Sequence, residues 1–152
     1  MQFDRAALRY RELVALRPND DALLAEYLRV AGLTREAAVL ADAAARLVER
    51  AATPGSTIDG AALTLALRQL SSVPPRLSNS AWGRVAMRLI ACDEFDAAES
   101  LALKLVARDA AGDVVPKVLS RLVHALRDVG QSERAERANR LLIQRYPQVA
   151  RL

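Results

Sequence analysis

Apolar residues recur three and four positions apart along almost the whole chain, with charged and polar residues between them. That spacing lays one apolar stripe along a helix and does not suit a half-buried strand. Breakers divide the pattern into about eight segments. The first, "FDRAALRYRELVAL" (3–16), ends at "RPND", because Pro18 disfavours helical geometry at Arg17. The second runs from about Asp20 to Ala31, where Gly32 is expected to supply a left-handed cap. Thr34 is expected to cap a longer third helix, 35–51. "TPGST" (53–57) reads as a loop, 58–72 as a fourth helix and "VPPRLSN" (73–79) as a stiff connection. Helices five and six are expected over about 80–91 and 95–109. Asp113 should cap the seventh, with Pro116 tolerated in its first turn and Gly130 ending it. Ser132 should cap the eighth, which runs to Arg145. The fold class is all-α, built of short antiparallel helix hairpins.

A succession of hairpins invites comparison of the segments with one another. In residues 79–112, Trp82 is followed by Val85, Ala86 and Leu89, and after a turn by Ala98, Ala102 and Leu105. Residues 116–149 repeat the arrangement with Leu119, Leu122, Val123 and Leu126, then Gly130, Ala135, Asn139, Leu142 and Pro147. A third copy is Leu24, Ala25, Leu28, Gly32, Ala37, Ala41 and Ala44. The opening helix offers half a copy in Ala6, Tyr10, Leu13 and Pro18. This spacing resembles the tetratricopeptide repeat, in a divergent, bacterial-type form, with Ala86, Val123 and Asp93 standing where the family favours Gly. The resemblance covers about three-quarters of the chain.

The resemblance implies hairpins stacked as a right-handed superhelix, in one domain over 1–152 that is a piece of a longer protein, irregular over about 52–78. Small residues (Ala37, Ala98, Ala135) would let paired helices approach, and larger ones (Trp82, Leu105, Leu126) would fill gaps between hairpins. Leu89, Ala102, Leu122 and Leu142 belong to the same expected core. Phe3, Leu8 and Tyr10 would line an open edge at the first helix.

Composition sharpens this picture. The 152 residues are 52% hydrophobic and 26% charged, which suits a globular chain. The net charge of +4 points to an anionic partner, but 20 of the 22 basic residues are Arg beside abundant Ala. GC-rich coding produces the same skew, so the excess also reads as a solvated helix face. The N-terminal residues carry charges where a signal peptide has an apolar core. The longest apolar run, "AALTLAL" (61–67), is too short to span a bilayer. The expectation is a soluble, cytoplasmic chain, or a soluble domain of a larger membrane-associated or exported protein, with no membrane insertion of this segment.

The chemistry-bearing residues are few. Cys92 and His124 are each the only one of their kind, which removes internal disulfides, multi-His metal sites and most His-based triads. No phosphate loop, nucleophile elbow or paired-Cys motif occurs. The acidic run Asp93, Glu94, Asp96 and Glu99 is broken by Phe95 and lacks the Gly of a calcium loop. It is expected to cap the sixth helix and favour its positive end. The reading is a non-enzyme with no cofactor and no metal.

What remains is "PKVLSRLVHALRD", where Lys117, Arg121, His124 and Arg127 follow one another at three- and four-residue intervals opposite the apolar stripe. The resemblance implies that such first-helix residues face a concave groove receiving a peptide. Lys117 and Arg121 stand where clamp-type members hold a C-terminal carboxylate. Arg84 and Met87 on the fifth helix would join them, the guanidinium forking onto carboxylates. Ala22 and Glu26 occupy the comparable earlier helix, a departure from the clamp pattern. The leading reading is a protein–protein interaction scaffold for a peptide or helix, acidic or C-terminal. The alternative is an RNA-binding or other nucleic-acid-binding helical repeat using the Arg-rich surface, against which stands the shortage of aromatics for stacking.

Overall fold

The three-and-four spacing folds as helix throughout. A computed structural model describes residues 2–70, 77–108 and 112–150, and among these there is no strand. The helices are α1 (Gln2–Leu16), α2 (Asp21–Ala31), α3 (Ala37–Ala51), α4 (Gly60–Gln69), α5 (Asn79–Ala91), α6 (Phe95–Ala107), α7 (Val114–Asp128), α8 (Ser132–Arg145) and α9 (Pro147–Ala150). Most of "VPPRLSN" and the expected last residues of the fourth and sixth helices lie outside the described residues. The short α9 was not expected; Pro147 opens it, where a missing N–H costs nothing. No described helix is long and apolar enough to cross a membrane.

The chain forms two compact units, Met1–Arg84 and Val85–Leu152, divided within α5. In the first unit α1 packs on α2, α2 on α3 and α3 on α4; in the second α6 packs on α7, α7 on α8 and α8 on α9. Packing thus follows chain order.

The first unit is built around Val14, Leu24, Tyr27, Leu28, Leu47, Ile58 and Leu63, all almost fully buried. Each buried side chain of this size contributes about 1.5–3 kcal/mol relative to exposure. Tyr27 needs a partner for its hydroxyl, which donates to Asp42 Oδ2 at 2.7 Å, and Arg46 Nε donates to the same oxygen at 3.0 Å. Asp20 caps α2 by accepting the Leu23 N–H at 3.0 Å. The next residue, Asp21, accepts from Arg50 Nε at 2.7 Å and from the Thr57 N–H and hydroxyl at 2.6 and 2.7 Å. The start of α2 is therefore tied to the end of α3 and to the loop before α4.

The second unit buries Leu89, Ala98, Leu105, Leu119, Leu122, Leu126, Ala135 and Leu142, and Trp82, on the first unit's side of the division, is also buried. Its two hairpin turns are alike. Asp93 (φ 61°) and Gly130 (φ 80°) are both left-handed. Glu94 N–H reaches Leu89 O and Gln131 N–H reaches Leu126 O, each at 2.9 Å, five residues back. These are the bonds of a left-handed C-terminal cap. Glu94 (φ −86°, ψ 65°) and Gln131 (φ −90°, ψ 65°) then open the next helix in the same conformation.

The α2–α3 connection is different, and several expectations fail there. Gly32 is right-handed (φ −65°), and the Thr34 hydroxyl donates to Ala31 O at 2.7 Å, so Thr34 closes α2 instead of opening α3. Residues 32–36 separate these helices, against 92–94 and 129–131 in the other turns, so Ala37 falls at the first position of α3 and is exposed. Ala44, of the expected copy, is buried, and Ala43, Leu47 and Val48 are buried beside it. In α1 the stripe turned inward holds Ala7 and Val14, one residue along from the expected Ala6 and Leu13, and Leu13 is exposed. Ser132 is the first residue of α8, whose cap position is Gln131; Asp113 precedes α7 without a side-chain cap bond.

Candidate functional site

Helix α7 has the most sharply two-sided sequence in the chain. Val115, Val118, Leu119, Leu122, Val123 and Leu126 are buried between α6 and α8. Lys117, Arg121, His124, Arg127 and Asp128 are exposed on the other side. The strip expected from spacing is therefore a real surface of the second unit. Its members are not equally free. Lys117 Nζ lies 2.8 Å from Asp113 Oδ2, and this bond holds the Asp113 carboxyl below its ordinary value. The side chains of Arg121, His124 and Arg127 make no hydrogen bond or ion pair among the described residues.

Arg84 and Met87 stand apart from that strip in what they do. Arg84 belongs to the first unit, and its Nη1 donates to Ala52 O at 3.1 Å, satisfying a carbonyl at the end of α3. Met87 is on the second unit's part of α5 and is exposed.

The acidic run works differently from the expected capping. Asp93 takes the left-handed turn position, and Glu94 makes no side-chain cap bond. Asp96 and Glu99 instead hold Arg134 of α8. Its Nη2 is 2.8 Å from Asp96 Oδ1 and 3.1 Å from Glu99 Oε2, and its Nη1 donates to Gln131 Oε1 at 2.9 Å. The Arg134 side chain is half-buried, and this clasp joins the N-terminal parts of α6 and α8. Among the described residues no His, Cys, Asp and Glu side chains converge in threes as a metal site requires. Cys92 is a half-buried free thiol.

Beyond that clasp, α6 and α8 leave a cavity of about 410 Å³. Ala102, Ala138, Leu119 and Leu122, all buried, line it together with Leu103 and Leu141. Glu99, Arg137, Arg140 and Gln144 complete the lining. Sequence reasoning assigned Ala102, Leu119 and Leu122 to the core and passed over Arg137, Arg140 and Leu141. The available signal was the pairing of two alanines on neighbouring helices with arginines one or two positions away.

Trp82, Tyr27 and Phe95 are buried, Tyr10 and Tyr146 are half-buried, and Phe3 is exposed. Comparison with protein-family models, with curated proteins and with solved structures finds no match.

Proposed function

We propose that the chain is a non-enzymatic helical-repeat scaffold of tetratricopeptide type that binds a peptide or helix of a partner protein through the polar face of α7. The observation that carries this reading is the state of that face. Three cationic or titratable side chains, Arg121, His124 and Arg127, stand exposed and unpaired along about two turns of a helix whose other side is wholly buried. A peptide carboxylate, free or on an acidic side chain, is the group two guanidinium forks suit best. Exposed ion pairs contribute only about 0–1 kcal/mol each, so apolar contact must supply part of the affinity, and the exposed Met87 is a candidate for it. The repeated hairpin turns support the tetratricopeptide likeness, and the absence of an acid–base or nucleophile constellation in the sequence supports a binding role.

The test is a peptide array probed with the 152-residue chain, each peptide present with a free and an amidated C-terminus. Binding should favour acidic or free-carboxylate peptides and fall at least tenfold in Arg121→Glu/Arg127→Glu. Tighter binding to generic single-stranded RNA, lost steeply with added salt, would replace this reading with nucleic-acid recognition.

A further inference from the structure

The α6–α8 cavity lies on a different part of the second unit's surface from the α7 strip, since it is floored by the residues α7 buries. Its charges do not balance. Glu99 is the one acidic residue in the lining and is already held by Arg134. Arg137 and Arg140 are exposed and have no ion pair among the described residues. Glu133 and Glu136 precede them by one turn on α8, at the spacing of helical ion pairs, yet neither closes onto them. An apolar trough is thus edged by two guanidinium groups that pair with no carboxylate among the described residues.

Shape points the same way. The lining on α8 runs from Arg137 to Gln144, roughly 10 Å at 1.5 Å per residue, which is about two turns of a docked helix. Leu103, a large side chain half exposed on the wall, gains a partner only if something apolar enters. The volume falls within the range of about 300–1,000 Å³ seen for binding sites.

We infer that this trough is a second docking site, taking a short amphipathic acidic helix whose apolar side chains sit over Ala102 and Ala138 and whose carboxylates meet Arg137 and Arg140. The occupant is a segment of another protein with Leu-type residues four positions apart and Glu on the flank, read as helix-in-groove recognition.

The probe is a synthetic 14-residue peptide with two Leu at i and i+4 and three flanking Glu, beside a scrambled peptide of equal composition, titrated calorimetrically into the 152-residue chain. Binding should be at least tenfold tighter for the patterned peptide. It should fall at least tenfold in Arg137→Glu/Arg140→Glu and in Leu103→Lys, all surface changes whose folding is checked by circular dichroism. Arg121→Glu/Arg127→Glu should leave it unchanged, so failure of the α7 reading is distinguishable from failure here. Equal binding of patterned and scrambled peptides overturns the proposal. A dimer in sedimentation that Arg137→Glu/Arg140→Glu dissolves overturns it in favour of a second copy. Decanoate binding more tightly than the peptide overturns it in favour of a small anionic amphiphile.

Discussion

Asp93 and Gly130 hold the same place in two successive hairpin turns, one an L-residue and one glycine, both left-handed and both followed by an N–H that reaches back five residues. The left-handed backbone costs an L-residue about 1–2 kcal/mol, and Gly loses about 0.5–1 kcal/mol more than Ala on ordering. Asp93→Gly should therefore stabilise the second unit by roughly 0.5–1 kcal/mol, and Gly130→Ala should destabilise it by a similar amount. Urea midpoints of the two variants should move in opposite directions; parallel shifts would contradict the shared turn geometry.

Asp21 is the polar centre of the first unit. Burial pushes its carboxyl up, but the Thr57 N–H and hydroxyl and the Arg50 guanidinium outweigh that and hold it below its ordinary value. The fold therefore favours the carboxylate. Its contribution is full above the unfolded pKa and is lost as pH falls through the lowered one. Asp21→Ala should cost about 1.5–3 kcal/mol at neutral pH, the range for hydrogen bonds to a charged group. Asp21→Asn should flatten the acid limb of stability against pH, measured by thermal melts at stepped pH. Glu26 and Asp113 are also held low, by Arg29 and Lys117, but both pairs are surface pairs and add little to that limb.

Ala98 and Ala135 are almost wholly buried, which leaves little room for a larger side chain. Ala98→Leu and Ala135→Leu should each cost about 1–3 kcal/mol through overpacking. Ala37→Leu, at an exposed helix start, should change stability by no more than about 0.5 kcal/mol. Equal melting shifts for all three would mean that the register of α6 and α8 is wrong.

Tyr27 is buried with its hydroxyl on Asp42, and burial together with that carboxylate raises the phenol well above its ordinary pKa. The protonated form is the one the fold favours, so this support is present below the unfolded pKa and is lost as alkali carries pH through the raised value. Tyr27→Phe should cost about 1 kcal/mol. Asp42→Ala should cost more, because it leaves a buried hydroxyl without an acceptor. An absorbance titration in which Tyr27 shows no rise in its pKa would disprove the bond.

The helices and the second unit's core were legible because a stripe repeated every three or four residues can be buried in only one way on a helix. Trp82, Leu89, Ala98, Leu105, Leu122, Leu126, Ala135 and Leu142 are all buried as read. In the α2–α3 copy Leu24, Leu28 and Ala44 are buried, but the turn and Ala37 were misread because the connection is longer, which spacing counted across a turn cannot register. Asp96 and Glu99 were read locally, as caps, although their partner Arg134 is more than thirty positions away and belongs to another hairpin. The α7 strip was visible because both of its faces lie on one helix. The α6–α8 trough was not, since a space between two alanines exists only once their helices are side by side.

The reach of Asp21 also bears on the order in which the first unit assembles. Its bond to Thr57 spans 36 residues, whereas the helices otherwise pack mainly on their sequence neighbours. Closing a long loop is entropically costly, so neighbouring hairpins can dock before that bond repays its closure. Contacts made after the barrier govern how fast a fold comes apart, with little effect on how fast it forms. Asp21 is thus expected to act as a latch: its removal should quicken unfolding roughly ten- to a hundredfold and leave the refolding rate nearly unchanged.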